Sequence, residues 1–137
     1  MNSLDQPLIG LMRAAGNVEG QLARSLVAHG LGLTEYLVLL HLRHSPSGNL
    51  RRIDLAEKVG LTASGVTRVL NPMEKIGLVS KEVSARDARA SLVALTTAGE
   101  RTFEEASNSV AAASESILGR FDANDRTALR TVISRLT

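Results

Sequence analysis

Apolar residues recur along most of the chain at intervals of three and four positions, which is the period of an amphipathic helix. The segments that show this period are residues 4–29, 34–44, 53–59, 62–76, 97–120 and 122–136. Only one Tyr and two Phe occur, with no Trp, so Leu, Val, Ile and Ala must build the core. The pattern therefore predicts a mainly α-helical protein with six helices.

Hydroxyl residues and glycines indicate where these helices begin and end. We expect Thr34 and Thr62 to cap the second and fourth helices, because their hydroxyls can accept a hydrogen bond from a free backbone N–H group. Thr97 with Glu100 fits a capping box for the fifth helix. Gly60 is expected to supply the turn between the third and fourth helices.

The third and fourth helices each carry a further prediction. In the third, Ile53 and Ala56 are expected to face inward, and Leu55 is a further candidate for the same side. In the fourth, Pro72 removes a backbone donor and crowds the carbonyl group of Arg68, which predicts a bend or an irregular last turn.

Between the fourth and fifth helices the pattern changes to two short β-like runs, residues 78–83 and 90–95, joined by a charged segment. This predicts a β-hairpin. Because no repeat or long linker interrupts the chain, we expect one domain over residues 1–137. Within it, a central lobe over about 34–95 lies between terminal helices over about 4–30 and 97–136.

The spacing over residues 54–79 suits a helix-turn-helix, with the small residue Ala56 where the helices cross and Val66 and Leu70 as anchors. The outer face of the fourth helix would then carry small, polar or basic residues suited to phosphate and base edges: Thr62, Ser64, Gly65, Thr67, Arg68 and Asn71. The alternative is an ordinary helix pair with a solvated outer face. A hairpin directly after the pair favours a winged helix, whose tip could reach a minor groove with Arg86, Asp87 and Arg89.

Charge and composition narrow the function. Residues 43–95 hold nine Lys/Arg and five Asp/Glu, whereas each flank carries a small negative excess, so an anionic partner would dock in the middle. The absence of cysteine excludes disulfides, thiolate metal sites and a cysteine nucleophile. No nucleophile motif, phosphate loop or paired carboxylates indicate an enzyme, and no cofactor is expected. No signal-like or membrane-length apolar run is found, which predicts a cytoplasmic protein without a membrane partner.

Two other functions remain open at this point. His41 and His44 lie three residues apart on a helix, with His29 and Glu35 nearby in sequence, and this spacing can bring two imidazoles to one metal ion. A metal-sensing regulator is therefore the first alternative. Ordinary surface histidines explain them more simply, so no metal site is predicted. A winged helix that binds another protein and not DNA is the second alternative.

The stretch Asp87-Ala88-Arg89, followed by Leu92 and by Leu95-Thr96-Thr97-Ala98-Gly99, resembles the wing signature of the MarR family, an Asp-x-Arg pair leading into Leu-Thr-x-x-Gly. The preceding residues 74–79 match as well. The resemblance implies that Arg89 enters the minor groove, that Asp87 holds the wing in shape, and that the helix over about 62–76 lies in the major groove. The chain departs from the family where a hydroxyl residue often precedes the third helix, since Arg51 and Arg52 stand there. Either arginine could contact phosphate or be solvated.

The resemblance also implies a homodimer formed by the first and the last two helices. The sequence supports this independently, because the apolar faces over residues 8–26 and 129–136 need burial. Two-fold symmetry predicts a pseudo-palindromic operator. The resemblance further implies a repressor that leaves its operator when a small-molecule effector changes the spacing of the two recognition helices. The sequence does not identify that effector, and Arg13 or Tyr36 as effector contacts are guesses only.

Overall fold

The computed structural model describes residues 3, 5–83 and 91–137. In chain order the elements are α1 (Asp5–Leu26), a 3-10 turn (Val27–His29), α2 (Leu33–His44), β1 (Asn49–Arg51), α3 (Arg52–Val59), α4 (Ala63–Lys75), β2 (Val79–Val83), β3 (Ser91–Leu95), α5 (Thr97–Leu118) and α6 (Ala123–Leu136). Six α-helices among the described residues, with the paired strands β2 and β3, confirm the predicted fold class.

The sheet has one strand more than the predicted hairpin. Its order is β1-β3-β2, and both pairings are antiparallel. Leu50 of β1 lies opposite Val93 of β3, and Lys81 of β2 lies opposite the same residue on the other side. Strand β1 is only three residues long, too short for alternation to be recognised, and its partner lies more than 40 positions away in the chain.

The helix boundaries confirm some caps and correct two. Thr62 caps α4 as predicted. The second helix begins one residue before Thr34: its N-cap is Gly32, whose N–H group donates to the Glu35 carboxylate at 2.9 Å. The α5 cap is Thr96 and not Thr97, since the Thr96 hydroxyl accepts from the Gly99 N–H group at 3.0 Å. The cap lies two residues before the expected one in α2 and one residue before it in α5.

The described part of the chain divides into two compact units, residues 26–108 and residues 1–25 with 109–137. The first unit holds the apolar core, to which α2, α3, α4, the sheet and the start of α5 contribute. Its fully buried large side chains are Leu26, Val38, Leu39, Leu42, Leu55, Val66, Leu70, Met73 and Val93. On this core the Tyr36 and Phe103 rings stack with centroids 5.5 Å apart.

Helix α3 orients its apolar residues differently from the prediction. Leu55 and Ala56 are buried, whereas Ile53 is 67% exposed. Residues 55, 56 and 59 share one side of a helix, and position 53 lies about 200° away from position 55 at 100° per residue. An eight-residue helix cannot bury both sides against one core, so the prediction of an inward Ile53 is wrong.

The start of α5 lies against the chain that leaves α4. The Thr96 hydroxyl donates to the Gly77 carbonyl oxygen at 2.5 Å, and the Thr96 N–H group donates to the Leu78 carbonyl oxygen at 3.2 Å. A Cβ atom on Gly99 would lie 2.0 Å from that same Leu78 oxygen. The Leu-Thr-x-x-Gly segment thus fixes α5 to the end of α4, and only glycine permits the approach.

The second unit contains α1 up to residue 25, α5 from residue 109, and α6. None of its described side chains is fully buried. Its helices line an apolar cavity of about 270 Å³, whose walls are Ala14, Val18, Leu22, Ser114, Ile117, Leu118, Phe121 and Leu129. Further apolar side chains on α1 and α6 remain at the surface, among them Met12, 74% exposed, and Leu136, 54% exposed. This unit therefore leaves much apolar surface uncovered.

Among the described helices none is by itself both long and apolar enough to cross a membrane. Residues 5–29 and 33–44 meet that test only as a bent pair, on length and composition alone.

Candidate nucleic-acid interface

The turn between α3 and α4 depends on Gly60. This residue has a φ angle of 72° and a ψ angle of 34°, a left-handed conformation that favours glycine. Its N–H group donates to the Glu57 carbonyl oxygen at 3.2 Å, and the Leu61 N–H group donates to the Ala56 carbonyl oxygen at 2.9 Å. These bonds close the end of α3 and set the direction in which α4 begins.

The first turn of α4 is held by a hydroxyl cap. The Thr62 hydroxyl oxygen accepts from the Gly65 N–H group at 3.0 Å and lies 3.2 Å from the Ser64 hydroxyl oxygen. A Cβ atom on Gly65 would stand 3.1 Å from the Thr62 oxygen, which is a tight contact. Thr62, Ser64 and Gly65 therefore form one compact polar surface at the start of the helix.

One side of α4 is anchored in the core and the other is exposed. Val66, Leu70 and Met73 are buried, while Ser64, Arg68 and Asn71 are exposed. The exposed three are separated by four and three positions, so they share one face of the helix. The structure thus brings together three of the predicted contacts in a position where a partner can reach them.

Asn71 is connected to the wing by a residue that the sequence analysis missed. The Lys81 ammonium group on β2 donates to the side-chain amide oxygen of Asn71 at 3.1 Å and lies 3.3 Å from a Glu74 carboxylate oxygen. The Asn71 side-chain oxygen therefore accepts from Lys81 through one of its two lone pairs, and its NH₂ group remains to donate. Lys81 lies ten positions along the chain on a different element, so only the tertiary structure reveals this contact.

A shallow open hollow of about 610 Å³ lies between α3 and α4. It is lined by Arg52, Ile53, Ala63, Ser64, Thr67 and Arg68. The Thr67 hydroxyl is used inside the protein, because it accepts from the Arg52 guanidinium at 2.8 Å and donates to the Ala63 carbonyl oxygen at 3.0 Å. Thr67 thus joins the two helices across the hollow.

The adjacent Arg51 forms an ion pair. Its guanidinium lies 3.0 Å and 3.4 Å from the two carboxylate oxygens of Asp54. The hydrogen bond from Arg51 lowers the pKa of Asp54 below the ordinary carboxyl value, and the positive charges of Arg51 and Lys58 act in the same direction. The structure therefore separates two neighbouring arginines that the sequence could not distinguish.

Pro72 lies inside α4, which continues to Lys75. After it the chain turns at Gly77, with a φ angle of 82°. There the Gly77 N–H group donates to the Glu74 carbonyl oxygen at 3.0 Å, and the Leu78 N–H group donates to the Met73 carbonyl oxygen at 2.9 Å. The helix end is therefore set by a glycine turn after residue 75.

The wing is described up to Val83 and again from Ser91. Arg86, Asp87 and Arg89 lie outside the described residues, so their predicted contacts stay predictions.

The neighbours of His41 and His44 are groups of the protein itself. The His44 Nδ1 atom forms a hydrogen bond with the Leu40 carbonyl oxygen at 2.8 Å, and the ring meets Phe103 edge-on at 6.4 Å. Burial lowers the pKa of His41, as do the charges of Lys58 and His44. Within the part of the chain that is described, no three His, Cys, Asp or Glu side chains are grouped so that they could hold a metal ion.

Comparison with known proteins assigns this architecture. A sequence model of the MarR family matches residues 29–90, from the end of the 3-10 turn into the wing. Over this stretch the chain is similar to the MarR family. The HTH-type transcriptional regulator PrsX of Escherichia coli is 30% identical over 88 residues, which are 64% of this chain and 53% of PrsX. The chain thus aligns with about half the length of the curated relatives it matches.

Solved MarR-family structures share the fold over nearly the whole chain. A MarR-family regulator from Streptomyces coelicolor, solved in complex with DNA, superposes with a TM-score of 0.89 at 23% identity, covering 99% of this chain and 87% of that one. CouR from Rhodococcus jostii RHA1, solved with bound p-coumaroyl-CoA, gives a TM-score of 0.82 at 26% identity, covering 92% and 87%. The winged-helix fold is confirmed.

Proposed function

We propose that this chain is a sequence-specific DNA-binding regulator of the MarR family that places α4 in the major groove of duplex DNA. The observation that carries the proposal is the exposed face of α4, where Ser64, Arg68 and Asn71 stand in line on a helix whose opposite side is buried. Arginine can donate two hydrogen bonds to guanine, and a serine hydroxyl suits phosphate oxygens. The DNA complex of the Streptomyces relative supports the same use of the fold.

Asn71 has a narrower role in this proposal than its residue type allows. Reading adenine with two hydrogen bonds requires both the oxygen and the nitrogen of the amide. Lys81 already donates to that oxygen, which holds the amide in one orientation, with its NH₂ group as donor and one oxygen lone pair left to accept. Arg86, Asp87 and Arg89 of the wing complete the proposed interface, with Arg89 in the minor groove.

We infer that the chain acts as a homodimer formed through residues 1–25 and 109–137. The support is the uncovered apolar surface of that unit: Leu8, Ile9, Met12, Val132, Ile133 and Leu136 are each about half exposed or more. Exposed apolar area of this extent is unusual in a monomer and typical of an interface. A two-fold dimer presents two α4 helices, which suits an operator of two inverted half-sites.

Repression with release by a small molecule completes the proposal. CouR binds an acyl-CoA thioester in its solved structure, so regulation by an organic effector is compatible with this fold. Binding of such a ligand releases DNA only if it favours a dimer whose recognition helices no longer match the operator spacing.

Fluorescence anisotropy tests the DNA-binding proposal directly. Duplex DNA from upstream of the chain's own gene is compared with a scrambled duplex over a salt series, for the wild type, Arg68→Ala and Arg89→Ala. Losing one base or groove contact should cost about 1–3 kcal/mol on the upstream DNA. Arg43→Ala is the matched control: it removes a positive charge from α2, where Arg43 pairs with Glu104 at 4.0 Å.

The outcomes separate the candidate functions. Preference for the upstream duplex, lost in Arg68→Ala and kept in Arg43→Ala, supports a sequence-specific regulator. Weak binding to both duplexes, unchanged by either substitution at Arg68 or Arg89, favours a protein-interaction module. A zinc-dependent change in stability or DNA affinity would favour a metal sensor.

A further inference from the structure

Two consecutive arginines open α3, and their surroundings differ. Arg51 pairs with Asp54 through two contacts, so its charge is largely compensated nearby. Arg52 is half-buried and donates to the neutral Thr67 hydroxyl. No ion pair joins Arg52 to a carboxylate among the described residues. The positive charge of Arg52 is therefore not paired with a carboxylate in the described part of the chain, whereas the charge of Arg51 is paired with Asp54.

The Thr67 contact also orients Arg52. The single proton of the Thr67 hydroxyl is donated to the Ala63 carbonyl oxygen, so the hydroxyl oxygen faces Arg52 as an acceptor. This contact uses one of the five N–H donors of the guanidinium, and the others remain. A long side chain that is already held in place loses less conformational entropy on binding than a free one.

Arg52 shares its hollow with a second guanidinium and with polar oxygen. Arg68 lines the same surface from α4, and Ser64 supplies a hydroxyl group. The exposed Ile53 forms an apolar part of the wall. Two cations, a hydroxyl donor and an apolar patch beside them match a phosphodiester with its attached deoxyribose.

We propose that Arg52 is a DNA-backbone contact of this chain, positioned by Thr67, and that Arg51 is not. The inference rests on the proposed function, since it names the part of duplex DNA that the hollow receives. It also changes the role of Thr67, which acts on DNA through Arg52 and not by direct contact. A phosphate contact carries no sequence information, so its loss must weaken binding to every duplex alike.

The test compares Arg52→Gln with Arg51→Gln, using anisotropy on the preferred and the scrambled duplex over a salt series. Both substitutions remove one positive charge from the start of α3, so the long-range electrostatic effect is shared. We expect Arg52→Gln to weaken binding to both duplexes about tenfold per protomer at low salt. The slope of log affinity against log salt should fall by about 0.9 per lost phosphate contact. Arg51→Gln should keep the wild-type slope.

Two more variants separate contact from folding. Arg52→Lys keeps the charge and should recover most of the salt slope. Thr67→Val removes the oxygen that orients Arg52 and should weaken binding less than Arg52→Gln, with the slope retained. Circular dichroism melting of each variant excludes unfolding as the cause of lost binding.

Several results overturn the inference. An unchanged slope in Arg52→Gln, an equal loss of slope in Arg51→Gln, or a loss confined to the preferred duplex would each contradict a backbone contact by Arg52. If the wild type binds neither duplex, the proposed function fails instead. The two failures are therefore distinguishable.

Discussion

Replacing Gly99 with alanine should destabilise the protein, although helix propensity alone predicts the opposite. Gly99 lies in the first turn of α5, where alanine is favoured over glycine by up to about 1 kcal/mol. In the structure, however, the new Cβ atom would lie 2.0 Å from the Leu78 carbonyl oxygen and 3.0 Å from a Leu95 methyl carbon. Because the nearest obstacle is backbone, it cannot move aside as a flexible side chain would.

The size of the effect follows from what must separate. The start of α5 has to move at least about 1 Å from Leu78 to relieve the clash. That movement disturbs the two hydrogen bonds from Thr96 to Gly77 and Leu78, each worth about 1 kcal/mol. Overpacking adds about 1–3 kcal/mol. After the propensity gain is subtracted, we expect a net loss of about 3 kcal/mol in the free energy of unfolding.

Urea denaturation followed by circular dichroism, at one fixed protein concentration, measures this loss. The midpoint should fall by roughly 1–2 M urea. The control is Ala98→Gly, the reverse exchange at the neighbouring exposed position, which should cost no more than about 1 kcal/mol. A Gly99→Ala variant as stable as the wild type, or more stable, would refute the close approach of α5 to Leu78.

Three further predictions concern the cap, the ion pair and the wing. Thr62→Ala should cost about 1 kcal/mol because the cap of α4 is lost, whereas Thr34→Ala, which removes no cap, should change stability by less than about 0.5 kcal/mol in the same urea assay. The pKa of Asp54 is lowered in the folded state, so its contribution to stability is present at neutral pH and is lost as the pH falls through that pKa. NMR titration should show a higher Asp54 pKa in Arg51→Gln than in the wild type. An unchanged pKa would contradict the pairing. Lys81→Met should reduce the preference for operator over scrambled DNA a few-fold, because the Asn71 side-chain amide is no longer held by the Lys81 ammonium group. An unchanged preference would show that this contact does not orient the Asn71 amide.

Local signals in the sequence were sufficient for most of the helix-turn-helix. Gly60 and Thr62 determine the turn through their own backbone geometry and capping, so the sequence alone predicts both. The opposite faces of α4 follow from helical spacing in the same way. The Leu-Thr-x-x-Gly segment was recognised through the MarR resemblance. Only the structure shows that its Thr96 and Gly99 fix α5 to the end of α4.

Features that depend on distant contacts could not be found by that route. Strand β1 exists through its pairing with β3, and Lys81 reaches Asn71 from another element. The different roles of Arg51 and Arg52 depend on which partner each side chain meets, and that requires the positions of α3 and α4 together. The exposed Ile53 shows the same limit, because a short helix can satisfy its apolar pattern in more than one orientation.

Selection of binding sites from a random duplex library tests the central claim, that the exposed face of α4 reads DNA sequence as part of a dimer. The wild type should enrich an inverted repeat whose half-site centres lie about 10 base pairs apart, or a multiple of that spacing. Arg68→Ala should lose the preference at one symmetric position in each half-site and keep it elsewhere. Failure to enrich any repeat, or an identical repeat selected by Arg68→Ala, would contradict the claim.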